Sequence, residues 1–152
     1  FKMISTHAEK AAELFKAGYN CSQSVAAAFC DVTKTDEKTM LATAAPFGGG
    51  FGRNREVCGA ISGGCLVLGL LYGYTDPSDK TAKSEHYALV RDFMARFSVR
   101  FGSVICRELL GGATAGGEPA ERNAAFYESR PCFKLVFSAA EIIDEIINEK
   151  GV

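Results

Sequence analysis

The stretch Val57-Cys-Gly-Ala-Ile-Ser-Gly-Gly-Cys-Leu-Val-Leu-Gly-Leu-Leu-Tyr-Gly-Tyr-Thr75 carries no charged residue over 19 positions. That length approaches a membrane-spanning helix. Five glycines, a serine and two cysteines interrupt the stretch, however, and the 17 basic and 18 acidic residues all lie in the rest of the chain. A helix enclosed by other helices needs the same composition, and surface glycines let neighbouring backbones come close. The stretch therefore predicts a buried, glycine-rich central helix.

Helical periodicity continues on both sides of this stretch. Upstream, it predicts an amphipathic helix over Ser5–Lys16, a helix from the N-cap Asn20 to Phe29, and a short helix capped by Thr35 or Asp36. Downstream, it predicts a long helix from Asp76-Pro77 to Phe101, a short helix over Val104–Leu110, and a last helix from Pro131. The apolar seam of the long helix is expected at Tyr87, Val90, Met94, Phe97 and Phe101, with Arg91, Arg96 and Arg100 on a solvated face. The buried side of the last helix is expected at Leu135, Val136, Ala139, Ile143, Ile146 and Ile147.

No strand or hairpin pattern interrupts these helices. The sequence therefore predicts an all-α, single-domain bundle of six to seven helices over residues 1–152, built around the uncharged central helix.

Composition limits the function classes. The chain has 152 residues, 47% hydrophobic and 23% charged, as expected of one folded domain. Its 17 basic and 18 acidic residues give a net charge of −1. We therefore expect no nucleic-acid partner and no membrane association, because neither has an electrostatic basis here. Residues 1–20 contain no apolar signal segment, which predicts a cytoplasmic protein.

Cysteine is the unusual component of the sequence. Six cysteines lie at positions 21, 30, 58, 65, 106 and 132. No two are spaced as Cys-x-x-Cys, which argues against a zinc ribbon, a thioredoxin motif and a haem attachment site. The closely spaced cysteines of bacterial ferredoxins are missing as well. A shared cysteine site would have to be assembled from distant parts of the chain.

Three cysteines occupy predicted helix starts, namely Cys21, Cys58 and Cys132. Free N–H groups and the helix dipole stabilise a thiolate there, so these thiols should be more acidic than free cysteine. Their shared position suggests a converging site, although chance placement would give the same pattern. Cys58 and Cys65 are two helical turns apart, about 10 Å, which is too far for a disulfide. Apolar neighbours place Cys30, Cys65 and, on pattern alone, Cys106 in the core.

The segment Phe47-Gly-Gly-Gly-Phe-Gly-Arg-Asn-Arg55, called here the glycine loop, allows positive φ angles or close backbone approach. It lacks the strand, helix and lysine context of nucleotide-binding loops, so no nucleotide is expected. Neither His7 nor His86 has a partner at a familiar ligand spacing, and both are expected to be solvent-facing or packed.

Several motifs together resemble one protein family. They are Gly18-Tyr-Asn-Cys-Ser-Gln-Ser24, Phe47-Gly-Gly-Gly50, Cys58-Gly-Ala-Ile-Ser-Gly63, Cys106-Arg-Glu-Leu-Leu-Gly111 and Cys132. In this order they resemble the redox-active family labelled C_GCAxxG_C_C, over about residues 5–147. The resemblance implies that Cys21, Cys58, Cys106 and Cys132 form the site. It thereby moves Cys106 from the core to the site and leaves Cys30 and Cys65 outside it.

The resemblance also implies a redox role and a bound iron–sulfur cluster, [2Fe–2S] or [4Fe–4S], for electron transfer. Some relatives are exported by the twin-arginine route, and a haem-bearing cytochrome group is related. This chain shows no twin-arginine leader and no haem motif, so no haem is expected. In this interpretation the four cysteines are metal ligands, and backbone at Gly48, Gly49, Gly50 and Gly59 helps bind the cofactor.

Three alternatives remain open. The same cysteines suit a thiol–disulfide redox protein or sensor, with Cys21–Cys58 as the most plausible pair and Cys106–Cys132 as the second. Four thiolates also suit a structural zinc ion in a partner-binding module. An enzyme acting on a small molecule beside the glycine loop is the last alternative. An unidentified redox partner protein and a homodimer are expected, and no catalytic residue or defined substrate emerges.

Overall fold

The computed structural model describes residues 5–151, and that part of the chain is a bundle of α-helices without a β-strand. The all-α prediction is confirmed. There are more helices than the six to seven predicted, because several are one or two turns long. The helices are α1 (Thr6–Lys16), α2 (Cys21–Ala27), α3 (Cys30–Thr33), α4 (Glu37–Ala44), α5 (Gly59–Tyr72), α6 (Lys80–Phe101), α7 (Cys106–Leu109), α8 (Ala124–Ser129) and α9 (Cys132–Lys150). Between α4 and α5 lie a 3-10 turn (Ala45–Phe47) and an irregular turn (Gly48–Phe51).

Side-chain caps fix several helix starts as the sequence indicates. Ser5 caps α1, and Asp36 caps α4 by accepting from the Thr39 N–H. Asn20 caps α2 in a reciprocal arrangement with Gln23, so that each side chain binds the other's backbone N–H. The predicted cap positions Asn20 and Asp36 are confirmed. The helix predicted to reach Phe29 instead breaks after α2 and resumes as α3.

Helix α5 is the central helix, but it is shorter and less enclosed than expected. It covers 14 residues, from Gly59 to Tyr72. Its first half is buried, whereas Leu70 near its end is 52% exposed. The expectation that neighbours cover it on all sides is therefore wrong for its last turn. Within residues 5–151, none of the helices combines the length and apolarity needed to cross a bilayer.

Glycines on α5 permit close contact with α2. A Cβ atom on Gly63 would lie 2.5 Å from the Ser22 carbonyl oxygen, and one on Gly59 would lie 3.0 Å from the Cys21 Cβ. No side chain fits at Gly63 without displacing the α2 backbone, and one at Gly59 would require its neighbours to shift by a few tenths of an ångström. The Ser22 hydroxyl, fully buried in this contact, donates to the Ala44 carbonyl oxygen at 2.7 Å and so joins α4 to the pair. The predicted role of the glycines, close backbone approach, is confirmed at these two positions.

The long helix α6 begins at a different residue than predicted, and its buried face differs from the predicted apolar seam. Asp76 accepts from the Ser78 N–H in a turn, and Asp79 caps the helix instead. Phe93 and Phe97 are its fully buried residues, whereas Tyr87, predicted in the seam, is 46% exposed. The first turns of α6 extend beyond the helices that cover its second half, so periodicity alone misplaces the buried face.

Two arginines predicted on a solvated face instead join α6 to α9. Arg96 pairs with Glu145 and Glu149, and Arg100 pairs with Glu141 and Glu145. Such half-exposed ion pairs contribute little each but fix the relative position of the helices as a network. Helix α9 itself follows the prediction, since all its predicted core residues are buried except Ile147, which is half-buried.

His7 connects α1, α3 and α9. Its Nδ1 lies 2.7 Å from Asp144 Oδ1, its Nε2 lies 2.9 Å from Asp31 Oδ1, and its ring stacks on Phe29. Ser5 donates to the other Asp144 oxygen at 2.6 Å. The hydrogen bond with Asp144 is the main cause that raises the pKa of His7 above its ordinary value. The sequence missed this link, because the partners are 24 and 137 positions away.

We predict opposite effects of alanine at two glycines of α5. Gly63→Ala should destabilise the protein by roughly 1–3 kcal/mol, because overpacking against Ser22 outweighs the better helix propensity of alanine. Gly69→Ala is the matched control, since no atom lies within 4 Å of its added Cβ. It should stabilise by about 0.5–1 kcal/mol. Urea unfolding measures both, and equal effects would contradict the close helix contact.

We predict a pH-dependent contribution from His7. Because its folded pKa is raised, its stabilisation is complete below the unfolded value of 6.5 and is lost as pH rises through the folded pKa. The stability difference between wild type and His7→Gln should therefore be largest in mild acid and shrink above neutral pH. Asp144→Asn should show the same trend. Urea unfolding over a pH series is the measurement, and a difference that is constant with pH would refute the assignment.

Candidate redox site

A short antiparallel contact places two of the cysteines side by side. Val57 and Ile105 form an isolated β-bridge. Next to it, the Cys58 N–H donates to the Val104 carbonyl at 2.8 Å, and the Cys106 N–H donates to the Glu56 carbonyl at 2.6 Å. Cys58 is thereby fixed at the N-cap of α5 and Cys106 at the first residue of α7.

The other two site cysteines begin helices that meet at the same place. Cys21 is the first residue of α2, and Cys132 is the first residue of α9. Their thiols act on one another: the interaction raises the pKa of Cys21 and lowers the pKa of Cys132. The sequence predicts Cys21–Cys58 as a reversible disulfide pair, and the thiol that acts most strongly on the pKa of Cys21 is that of Cys132.

All four of these cysteines line one cavity of about 350 Å³, called here the thiol cavity. Cys30 and Cys65 are half-buried against the apolar core and do not line it. Cys106 is buried, as its pattern predicts, yet it faces the cavity, as the resemblance implies. The six cysteines are all free thiols.

The glycine loop forms one wall of the thiol cavity. The predicted cofactor-binding glycines, Gly48, Gly49 and Gly50, line it together with Gly59. Gly50 has a φ angle of +69°, and a Cβ atom on it would lie 2.8 Å from the Cys106 Cβ. Glycine is therefore required at this position both by the backbone conformation and by the contact with Cys106.

Arginines are the charged component of the cavity, and sequence reasoning missed them. Four line it: Arg53, Arg55, Arg122 and Arg130. Arg55 is only 2% exposed, donates from Nη1 to the Cys106 sulfur at 3.7 Å, and donates from Nε to the Thr114 carbonyl. In the described part of the chain, no carboxylate forms an ion pair with it. A buried cation needs a nearby anion, so the sulfurs are its natural counter-charge.

The segment 111–131 covers the cavity. It is tied to the glycine loop through two hydrogen bonds between Arg53 and Gly116. Arg122 fastens its second part by donating to the carbonyls of Phe15 and Tyr19 and by lying 4.4 Å from the Phe15 ring centre. The short helix α8 in this segment was not predicted, although Asn123 is the side-chain cap that signals it.

The acidity of the four thiols differs from the sequence expectation. The pKa of Cys132 is lowered to about 7, first by the hydrogen bond from Cys21 and then, against the effect of burial, by the charges of Arg130, Arg122 and Arg55. This agrees with the predicted acidic thiol at the start of α9. It makes Cys132 a partly ionised nucleophile or ligand near neutral pH.

The same expectation is wrong for Cys21 and Cys58. Donation of its proton to Cys132, together with burial, raises the pKa of Cys21 well above its ordinary value. Burial raises the pKa of Cys58 to about 12, although the N–H groups of Ala60 and Ile61 at the start of α5 act in the opposite direction. The helix-start effect is thus present, and burial outweighs it.

A single metal ion has no ready set of ligands. Among residues 5–151, no group of three or more His, Cys, Asp or Glu side chains is placed to hold one ion. The sulfurs around a single zinc must all lie about 2.3 Å from one point. The four sulfurs around an iron–sulfur cluster bind two or four separate iron atoms and therefore span a wider space.

The fold and site define a class: a small all-α protein with four cysteines and four arginines around one cavity. The sequence profile described as "Putative redox-active protein (C_GCAxxG_C_C)" matches residues 19–146. The chain belongs to this family, and the resemblance stated from its motifs is confirmed. No curated protein and no solved structure matched the chain in the corresponding searches.

We predict that Cys132 is the most reactive thiol of the reduced, cofactor-free protein. Its alkylation rate should rise through a midpoint near its pKa of about 7. Cys21→Ala should shift this midpoint upward and slow alkylation at neutral pH several-fold, because the hydrogen bond that stabilises the thiolate is lost. Cys30→Ala is the control and should leave Cys132 unchanged. Iodoacetamide labelling with mass spectrometry measures each thiol, and an unshifted midpoint in Cys21→Ala would count against the pair.

Proposed function

We propose that this protein carries electrons through an iron–sulfur cluster bound by Cys21, Cys58, Cys106 and Cys132. The observation that supports this most is their convergence: thiols from four separate segments line one cavity. Cysteine thiolates are the usual complete ligand set of [2Fe–2S] and [4Fe–4S] clusters. The family's redox description agrees with this chemistry.

Charge in the cavity supports the proposal. A cluster held by four thiolates is an anion, and the charged side chains lining the described cavity are all arginines. Arg55, buried and in contact with the Cys106 sulfur, is placed to balance that charge. A nearby positive charge and donors to the sulfurs make a cluster easier to reduce. Arg55 therefore serves to set the potential.

The other residues exclude water and shape the wall. Gly50 and Gly59 leave room for the cofactor, since side chains there would meet Cys106 and Cys21. Phe15, Leu109 and Leu135 add apolar surface. When bound, the cluster supplies reversible electron transfer, and the chain supplies ligands, charge balance and shielding.

A second candidate function is thiol–disulfide exchange by Cys21 and Cys132, and their hydrogen bond favours it. The Cys132 thiolate would attack a disulfide of a partner protein, forming a mixed disulfide and releasing one partner thiolate. Cys21, after losing its proton, would then attack the Cys132 sulfur and release the second partner thiolate. The protein would lose two electrons, and the partner disulfide would gain them. The zinc alternative has no comparable support in the ligand geometry.

Anaerobic purification tests the leading proposal. Wild-type protein, isolated or reconstituted with iron and sulfide, should be brown, with iron and sulfide in stoichiometric amounts. Serine at any of the four site cysteines should remove or strongly reduce both, because a complete ligand set is lost. Cys30→Ser and Cys65→Ser are matched controls and should keep the colour, since these thiols do not line the cavity.

Other outcomes separate the candidates. A colourless protein that cannot be reconstituted would overturn the cluster. If this colourless protein then reduced one disulfide per Cys21–Cys132 pair, and neither Cys21→Ser nor Cys132→Ser did so, thiol–disulfide exchange would replace the cluster as the proposed function. Equal loss of iron in the Cys30→Ser and Cys65→Ser controls would also count against the proposed ligand set.

A further inference from the structure

The arginines of the thiol cavity carry more positive charge than a cluster bound by its four cysteines would balance. Its charged lining consists of the four arginines at 53, 55, 122 and 130, and no Asp or Glu lines it in the described chain. A cluster with four thiolates carries about two negative charges in its oxidised form, from the usual ion charges of its components. Two positive charges are then left over.

The four arginines differ in how many of their guanidinium N–H groups already have a hydrogen-bond partner. Arg122 donates to the Phe15 and Tyr19 carbonyls and is stacked against aromatic rings, so its role is to fasten the 111–131 segment. Arg55 is buried and directed to Cys106 and Thr114. These two have partners, and neither needs a further ligand.

Arg53 and Arg130 retain free donors. Arg53 donates from Nε to the Gly116 carbonyl at 3.1 Å, which leaves its two terminal nitrogens available. Arg130 lies 4.9 Å from the Phe126 ring centre, and no hydrogen bond or ion pair joins its guanidinium to residues 5–151. Both are half-buried, which places them nearer the cavity entrance than Arg55.

Their positive charges are also crowded. Burial lowers the pKa of Arg53, and repulsion from Arg55 and Arg130 lowers it further, while Cys106 and then Glu118 offset this in part. Several like charges that are half-buried together are costly unless an anion joins them. Guanidinium groups bind carboxylate and phosphate oxygens through paired hydrogen bonds.

We propose that Arg53 and Arg130 bind the carboxylate or phosphate group of a small organic molecule in the thiol cavity. Phe126, Leu109 and Leu110, which share the cavity lining, would contact its apolar part. The inference deepens the proposed function, because this ligand would lie beside the redox-active sulfurs as substrate or effector. The oxyanion site itself depends only on the arginines and the cavity.

Anaerobic calorimetry with two probes, inorganic phosphate and succinate, tests the site at constant ionic strength. At least one probe should bind wild-type protein. Arg53→Gln and Arg130→Gln should each weaken binding tenfold or more, because each removes a paired donor. Arg91→Gln, an exposed residue of α6 with the same charge change, is the control and should stay within twofold. A preference between the probes shows whether the site suits phosphate or carboxylate.

The outcomes separate this inference from the cluster proposal. Arginine-dependent binding in a protein that cannot be reconstituted would retain the oxyanion site and reject the cluster. Binding to cluster-free protein that disappears on reconstitution would mean that the arginines only balance the cluster, and would overturn the inference. It is overturned equally if neither probe binds wild-type protein, or if Arg91→Gln weakens binding as much as the cavity variants.

Discussion

The close contact between α2 and α5 is the constraint on which the site depends. Gly59 and Gly63 are one turn apart on α5, and both face the start of α2 at Cys21 and Ser22. A side chain at Gly63 would push the helices apart, and one at Gly59 would meet Cys21 at the limit of close contact. The same contact that packs the core thus brings Cys21 beside the helix start that carries Cys58. The Cys-Gly-Ala-x-x-Gly motif is therefore a packing motif as well as a cysteine motif.

Neighbouring groups, more than helix position, decide which thiol of the cavity ionises. All four cysteines of the thiol cavity lie at helix starts, where N–H groups stabilise a thiolate. Only Cys132 also has a thiol donor and three arginines acting on it, and its pKa is the one that is lowered. Cys58 has the helix start alone, and burial prevails. The site is thus asymmetric: the pKa of Cys132 is lowered, whereas the pKa values of Cys21 and Cys58 are raised.

The sequence predicts local features well and long-range ones poorly. Caps such as Asn20 and Asp36 and the glycines of α5 act on near neighbours, so pattern reasoning finds them. The exposed side of α6 could not be found, because Tyr87 fits the apolar period although no helix covers that turn. Cys106 is a site residue only because an antiparallel contact places it next to Cys58, and periodicity carries no signal for that contact. The cavity arginines lie on two segments far apart in the chain and on no shared periodic face, and they were missed for the same reason.

The origin of the cavity lining in four separate segments also links binding in the cavity to the stability of the fold. The four cysteines come from four segments, and the covering segment is attached to the end of α1 by Arg122 and by Phe126 and Tyr127, whose rings pack against Phe15. A group that binds all four thiols would join these segments directly, so its binding free energy would become folding free energy. The charges of Arg55 and Arg130 act unfavourably on Arg53, and Cys106 and Glu118 offset this in part. Under the proposed function, an anionic cofactor would relieve this repulsion, so the positive charge of the cavity would link cofactor binding to the stability of the fold.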